Sequence, residues 1–235
     1  MGMPIILALE TSSETASCAL LNGAVLLSRE SAGVRTHSQF ILPMVQELLA
    51  EAGVTLQQCD AIAFGAGPGS FTGVRTACGI AQGLAYGAGL PVLSLITLDA
   101  MALACHQQTG AANILAVLDA RMGEVYWAQY HNGAVVAGPA LCAPDAVAPV
   151  AANGPLTACG NGLSAYPDAF AGQPYAAGAL TGIMPHARQI AELAVAALAA
   201  GAALPAAQAQ PLYLRNKIAY TSAERQVINA AKAAA

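Results

Sequence analysis

Twelve consecutive residues, Gly65-Ala66-Gly67-Pro68-Gly69-Ser70-Phe71-Thr72-Gly73-Val74-Arg75-Thr76, place four glycines, a proline and the hydroxyls of Ser70 and Thr72 between an apolar run and a helical pattern. The chemistry open to such a loop is phosphate binding, because glycines allow close backbone approach and the N–H groups of a helix start point at an anion. The two common spacings do not fit. A P-loop needs four residues between its glycines and then Lys-Ser/Thr, whereas Gly69 and Gly73 are separated by three and followed by Val74-Arg75. A dinucleotide fingerprint, Gly-x-Gly-x-x-Gly, fails where Gly67 is followed three residues later by Ser70. The other use of the loop is structural: a tight turn that lets a helix pack on its strand.

Two carboxylates offer a second chemistry. Glu10 and Asp119 end similar apolar runs, Ile6 to Glu10 and Ile114 to Asp119. In a cleft between two halves they could hold a hydrated cation, with the hydroxyls of Thr11, Ser12 and Ser13, or the turn at Arg121-Met122-Gly123, facing a phosphate. Against that, the first turn has Ser12 where a loop hugging a phosphate favours glycine, so a vestige of a nucleotide-binding ancestor is the preferred reading. The four histidines, His37, His106, His131 and His186, form no His-x-x-x-His pair, and no metal site is expected. Gly69-Ser70-Phe71-Thr72-Gly73 lacks the Gly-x-Ser-x-Gly spacing of a nucleophile elbow. The six cysteines lie singly in mostly apolar surroundings with no Cys-x-x-Cys and no signal peptide before them, which predicts buried reduced thiols and a cytoplasmic protein.

The elements that position these groups repeat. The runs ending at Glu10 and Asp119 each lead through an alternating stretch to an Asn-Gly pair, Asn22-Gly23 and Asn132-Gly133, then to a further strand. Asn-Gly between alternating apolar residues predicts a type I′ hairpin. Three strands thus open each half. Ala61-Ile62-Ala63-Phe64 adds a buried strand to the first, and helices follow over roughly 36–52, 70–86 and 97–106 in the first half and 184–200 in the second, with Ser70 or Thr72 capping the helix after the loop. The expected plan is two tandem α/β subdomains, 1–106 and 107–222, with a tail at 223–235 that could fray.

Composition narrows the function. The chain of 235 residues is 56% hydrophobic, and only 9% is charged, where about a quarter is usual. So little charge leaves a weakly polar surface that suits a standing protein partner. A net charge of −4 and two lysines, Lys217 and Lys232, provide no basic patch, so direct tight nucleic-acid binding is not expected. The alanine-rich stretch Ile190 to Leu204 carries Glu192 and too little large apolar surface to span a bilayer.

Four blocks in order resemble the TsaB (YeaZ) family of bacterial tRNA threonylcarbamoyladenosine biosynthesis proteins: Leu7 to Ser12, Gly65 to Arg75, Leu118-Asp119-Ala120-Arg121-Met122-Gly123-Glu124-Val125-Tyr126, and Pro211-Leu212-Tyr213-Leu214-Arg215. The resemblance covers nearly the whole chain. It implies an actin-like, Hsp70-like (ASKHA) fold of two RNase H-like subdomains, no cofactor, and a noncatalytic scaffold for the related subunit TsaD. TsaD transfers a threonylcarbamoyl group to adenosine 37 of tRNA, supported by the ATPase TsaE. TsaD carries a His-x-x-x-His metal motif in the helix after the strand that follows its glycine loop; here that place reads Thr97 to Ala104 without histidine. In such a fold Gly160-Asn161-Gly162 lies where adenosine is contacted, so Glu10, Thr11, Ser12, Asp119, Gly160 and Gly162 form the expected vestigial cleft. The family shares the first two helices of its first subdomain with TsaD, or with a second copy when TsaD is absent. Two stripes fit that role: Thr72, Thr76, Gly79 and Gly83 at offsets of four, three and four, and Phe40, Ile41, Met44 and Leu48 on the preceding helix. The alternative functions are an actin-like ATPase or glycoprotease-like metallopeptidase acting alone, and a plain homo-oligomeric binding protein.

Overall fold

The structure, a computed structural model, describes residues 3–32 and 37–215. The expected tail at 223–235 lies outside them. Among the described residues nine strands form two sheets. The first holds β1 (Ile5–Glu10), β2 (Thr15–Asn22), β3 (Val25–Ala32), β4 (Ala61–Gly67) and β5 (Val92–Ile96) in the order β3-β2-β1-β4-β5. The second holds β6 (Asn113–Asp119), β7 (Val125–His131), β8 (Ala134–Cys142) and β9 (Leu156–Cys159) in the order β8-β7-β6-β9. In each, the first strand pairs antiparallel with the next and parallel with the fourth, so the sequence repeat is a repeat of topology.

The two hairpins are tight, but their turns differ. In the second, Asn132 and Gly133 both take positive φ, 48° and 79°, as a type I′ turn requires. In the first, Asn22 still pairs with Val25, and of the linking residues Gly23 alone has positive φ, 62°. The Asn-Gly signal there locates the hairpin and misplaces its turn by one residue.

β1 is apolar throughout because both its faces are covered. Leu7 and Leu9 join Cys18, Leu20, Ile62 and Phe64 beneath helices α1 (His37–Ala52) and α2 (Phe71–Ala88). Ile6 and Ala8 join Ala19, Ala61 and Ala63 on the opposite face. That face is covered by Ala187, Ile190, Ala191 and Ala194 of α5 (Ala187–Ala199), which follows the single turn α4 (Gly162–Ala165), and not by a helix of the first half. Conversely Leu98, Met101, Ala102 and Cys105 of α3 (Thr97–Thr109) pack on Ile114, Ala116, Tyr126 and Tyr130 of the second sheet. The sequence reading, which kept each helix with its own half, is corrected here. Side-chain size explains the exchange: the alanine stripe of α5 fits the alanine-lined sheet, and the bulkier α3 fits the aromatic one. A hydrogen bond from Tyr130 Oη to Asp99 Oδ1 at 2.7 Å fixes α3 to β7.

After α5 the chain returns across the first half. Leu204 and Val92 exchange backbone hydrogen bonds of 2.8 Å, Gln82 Nε2 donates to the Ala209 carbonyl at 2.9 Å, and the Leu212 N–H donates to the Ala66 carbonyl at 2.7 Å. Within the described residues this strap reaches Arg215, whose guanidinium pairs with Glu124 at 2.6 Å in the second half.

Candidate functional site

The glycine loop joins β4 to α2 and is turned inward. Ser70 caps α2, its hydroxyl accepting from the Gly73 N–H at 3.4 Å. Three further donors of the loop and of the facing turn are also used within the protein: the Val74 N–H on the Ser70 carbonyl, the Ser70 N–H on the Ser12 carbonyl at 2.7 Å, and the Ser12 N–H on the Glu10 carboxyl. Thr11 Oγ1 donates to the Gly73 carbonyl at 2.6 Å. The backbones of loop and turn touch: a Cβ on Gly73 would overlap the Thr11 carbonyl, and one on Gly69 would lie 2.6 Å from Ser12 atoms. The glycines are there for that approach. The N–H groups of Ser12, Ser70, Gly73 and Val74, spent on oxygens of the protein, are not free for a phosphate.

Glu10 and Thr11 are fully buried beneath this lock. The Glu10 side chain lies across Gly65, one oxygen on the Ser12 N–H and the other without a hydrogen-bond partner. Burial raises its pKa above the ordinary carboxylate range, against the hydrogen bonds from Ser12 and Thr11.

Above it a cleft of about 370 Å³ opens between the two halves, with Ser12, Ser70, Asp119, Arg121, Asn161 and Arg215 in its walls. Its charges are paired across and within it. Arg121 reaches Glu14 of the first half at 2.7 Å and Asp119 at 3.6 Å. Asp119 also accepts from Tyr166 Oη at 3.0 Å and from the Arg121 N–H at 2.8 Å. Arg121 and Met122 both hold φ of 60°, backbone that L residues seldom adopt, in the turn that returns β6 to β7.

Of the residues expected in the cleft, Ser12 and Asp119 line it, while Glu10 and Thr11 lie below it. Gly160 and Gly162 do not line it. A Cβ at Gly160 would overlap the Val117 carbonyl and crowd Met101 Cε at 2.5 Å, and one at Gly162 would meet Val117 Cγ1 at 2.8 Å. These two glycines pack the chain against β6, and Asn161 between them stands in the cleft wall.

Among the described residues no three His, Cys, Asp or Glu side chains converge as a metal-ligand set. His106 bonds the Ala111 carbonyl, His131 bonds Asn113 and His186 faces Glu30. Burial pushes the Cys18 thiol to about 12 and the Cys59 thiol to about 11, so both stay protonated. No helix among the described residues is long and apolar enough to cross a membrane.

The outer surface of α1 and α2 is the other candidate. Val74, Ala77, Cys78, Ala81 and Ala85 bury one face of α2 on the sheet. Thr72, Gly79 and Gly83 are exposed on the other, with Thr76 half-buried between them, and a Cβ at either glycine meets nothing within 4 Å. On α1, Ile41, Met44 and Leu48 belong to the core beside Val45. Their assignment to a partner surface is corrected, because their i, i+3, i+7 spacing is the one that faces the sheet. Phe40 remains outside at 45% exposure, joined by Leu42 at 43% and, on α2, by Tyr86 at 85%. Sequence reasoning passed over Leu42 and Tyr86. The signal for Tyr86 was its place three residues beyond Gly83 on the same helical side. It also passed over Arg75, Phe71 and Tyr213, which meet where the strap crosses the start of α2.

A family model described as tRNA N6-adenosine threonylcarbamoyltransferase (TsaD) matches residues 27–232. The chain is 39% identical over 223 residues to the tRNA threonylcarbamoyladenosine biosynthesis protein TsaB of Escherichia coli K12, covering 92% of this chain and 96% of that one. The corresponding TsaB of Haemophilus influenzae is 38% identical over 230 residues, covering 92% and 95%. Among solved structures, YeaZ from Pseudomonas aeruginosa superimposes with a TM-score of 0.84 at 41% identity, over 90% of this chain and all of that one.

Proposed function

The chain belongs to the TsaB family and has its ASKHA fold, and from that premise we propose that it is a noncatalytic subunit for threonylcarbamoylation of adenosine 37 in tRNA. In this reading it binds TsaD, the transferase subunit, and works with the ATPase TsaE in the cytoplasm, touching tRNA only through them. The observation that carries it is the pair of surfaces just described: a cleft whose arginines are paired with carboxylates of its own walls, and an α2 face that is open and small-sided, with Tyr86 exposed on the same helix and Phe40 exposed on α1. Chemistry needs groups free to meet a substrate, and docking needs a weakly hydrated face where backbones can approach. In the absence of TsaD the same face pairs two copies of this chain. We keep 1–106 and 107–222 as the two subdomains by their sheets, with α3 and α5 crossing between them.

The test is a reconstituted tRNA-modification reaction with purified components. The chain alone should form no threonylcarbamoyladenosine, and TsaD with TsaE should require it. Product formed by the chain without TsaD, or ATP turnover by the pure chain, would overturn the reading in favour of an independent enzyme.

A further inference from the structure

The start of α2 carries a cation held in place with no anion to meet. The Arg75 guanidinium lies flat on the Phe71 ring, its central carbon 3.3 Å from the centroid, and 5.2 Å from the Tyr213 ring on the strap. Its Nε donates to Tyr213 Oη at 2.8 Å. Arg29, Arg121 and Arg215 each have a carboxylate within 4.0 Å; among the described residues Arg75 has none. Arg75 is exposed, and it precedes Gly79 and Gly83 by four and eight residues, so it stands at the N-terminal end of the open stripe. With Nε held by Tyr213 and the guanidinium over the Phe71 ring, the two terminal nitrogens of this exposed residue are left for a ligand.

Resting on the docking reading above, we propose that Arg75 is a preorganised anchor for one carboxylate, an aspartate or glutamate of the transferase subunit docked along α2. A protein carboxylate fits better than a nucleic acid. A phosphate backbone calls for several unpaired cations, and the nearby Arg121 and Arg215 are neutralised by Glu14, Asp119 and Glu124. A guanidinium already stacked and hydrogen-bonded loses little side-chain freedom when a carboxylate arrives, so the contact is strong for a single exposed charge. Tyr213 acts as a positioning residue, through Arg75.

The experiment measures the affinity of purified TsaD for the full chain and for Arg75→Ala, Arg75→Lys and Tyr213→Phe, each at low and high salt, with thermal midpoints as the folding control. Arg75→Ala should weaken binding about tenfold or more and flatten its salt dependence. Arg75→Lys should stay near the alanine variant, because an ammonium neither stacks as a plane nor presents a fork. Tyr213→Phe should fall between. If Arg75→Ala lowers the thermal midpoint, Arg75→Lys and Tyr213→Phe decide. Affinities within twofold of wild type with unchanged salt dependence overturn the proposal, as does a loss confined to self-association or to tRNA binding by the chain alone. A wild-type chain that does not bind TsaD at all defeats the docking reading instead, so the two failures are distinct.

Discussion

The Glu10 carboxyl is fully buried with one oxygen unpartnered, and burial raises its pKa. The folded protein therefore keeps a proton on Glu10 at pH values where the unfolded chain, with a glutamate pKa of about 4.3, has lost it. Folding takes up a proton over that window, so this group costs stability progressively as pH rises from the unfolded value through the raised one. Glu10→Gln keeps the shape and the acceptor for Ser12 and has nothing to ionise. Thermal melts should find it level with wild type near about pH 4 and more stable near neutrality; identical pH profiles would contradict the buried, protonated carboxyl. Gly73→Ala tests the lock between loop and turn. Its Cβ would overlap the Thr11 carbonyl, a backbone clash that should lower stability by about 1–3 kcal/mol in denaturant unfolding. A neutral result would mean that the loop has room to spare.

At the scale of elements, α2 divides its residues cleanly. The small-residue stripe of Thr72, Thr76, Gly79 and Gly83 and the strand before the loop were legible from spacing, and of the two caps the sequence offered, Ser70 and Thr72, the structure uses Ser70. The face of α1 was not, because Phe40, Ile41, Met44 and Leu48 are all apolar and only the sheet beneath distinguishes them. The exchange of α3 and α5 was equally hidden, since nothing local in either helix says which sheet it covers. Gly79→Leu and Gly83→Leu enter open space and replace glycine inside a helix, worth up to about 1 kcal/mol in propensity, so melts at a concentration too low for self-association should show an unchanged or higher midpoint. A lower midpoint would show that the stripe is packed. Helix α5 begins at His186, whose Nδ1 accepts the Arg188 N–H at 3.1 Å while Nε2 faces Glu30. That cap needs an unprotonated Nδ1. Desolvation lowers the His186 pKa against the pull of Glu30, so the stabilisation is present above the unfolded value of about 6.5 and is lost as pH falls through it towards the folded one. His186→Ala should cost about 1 kcal/mol near pH 7.5, with the difference shrinking near pH 5.

For the whole molecule, the halves are joined by groups far apart in sequence: the Arg121–Glu14 pair, the exchanged helices and the strap from Leu204 to Arg215. The repeated sheets were legible because strand period and hairpin turns are local signals, whereas the lock of the glycine loop onto the first turn was not, since Thr11 meets Gly73 across 62 residues. A cleft whose loop lacks phosphate-binding spacing and whose arginines are already paired should bind ATP weakly or not at all, and calorimetry on the isolated chain yielding a micromolar dissociation constant, about −8 kcal/mol, would contradict that. What remains open is the α2 face. The most direct test of the account is the dissociation constant of purified TsaD for the wild-type chain and for Gly83→Leu, whose side chain enters the space a partner would occupy. The account predicts a stable complex with wild type and at least about a tenfold loss for a Gly83→Leu chain that is still folded; equal affinities would place the partner elsewhere.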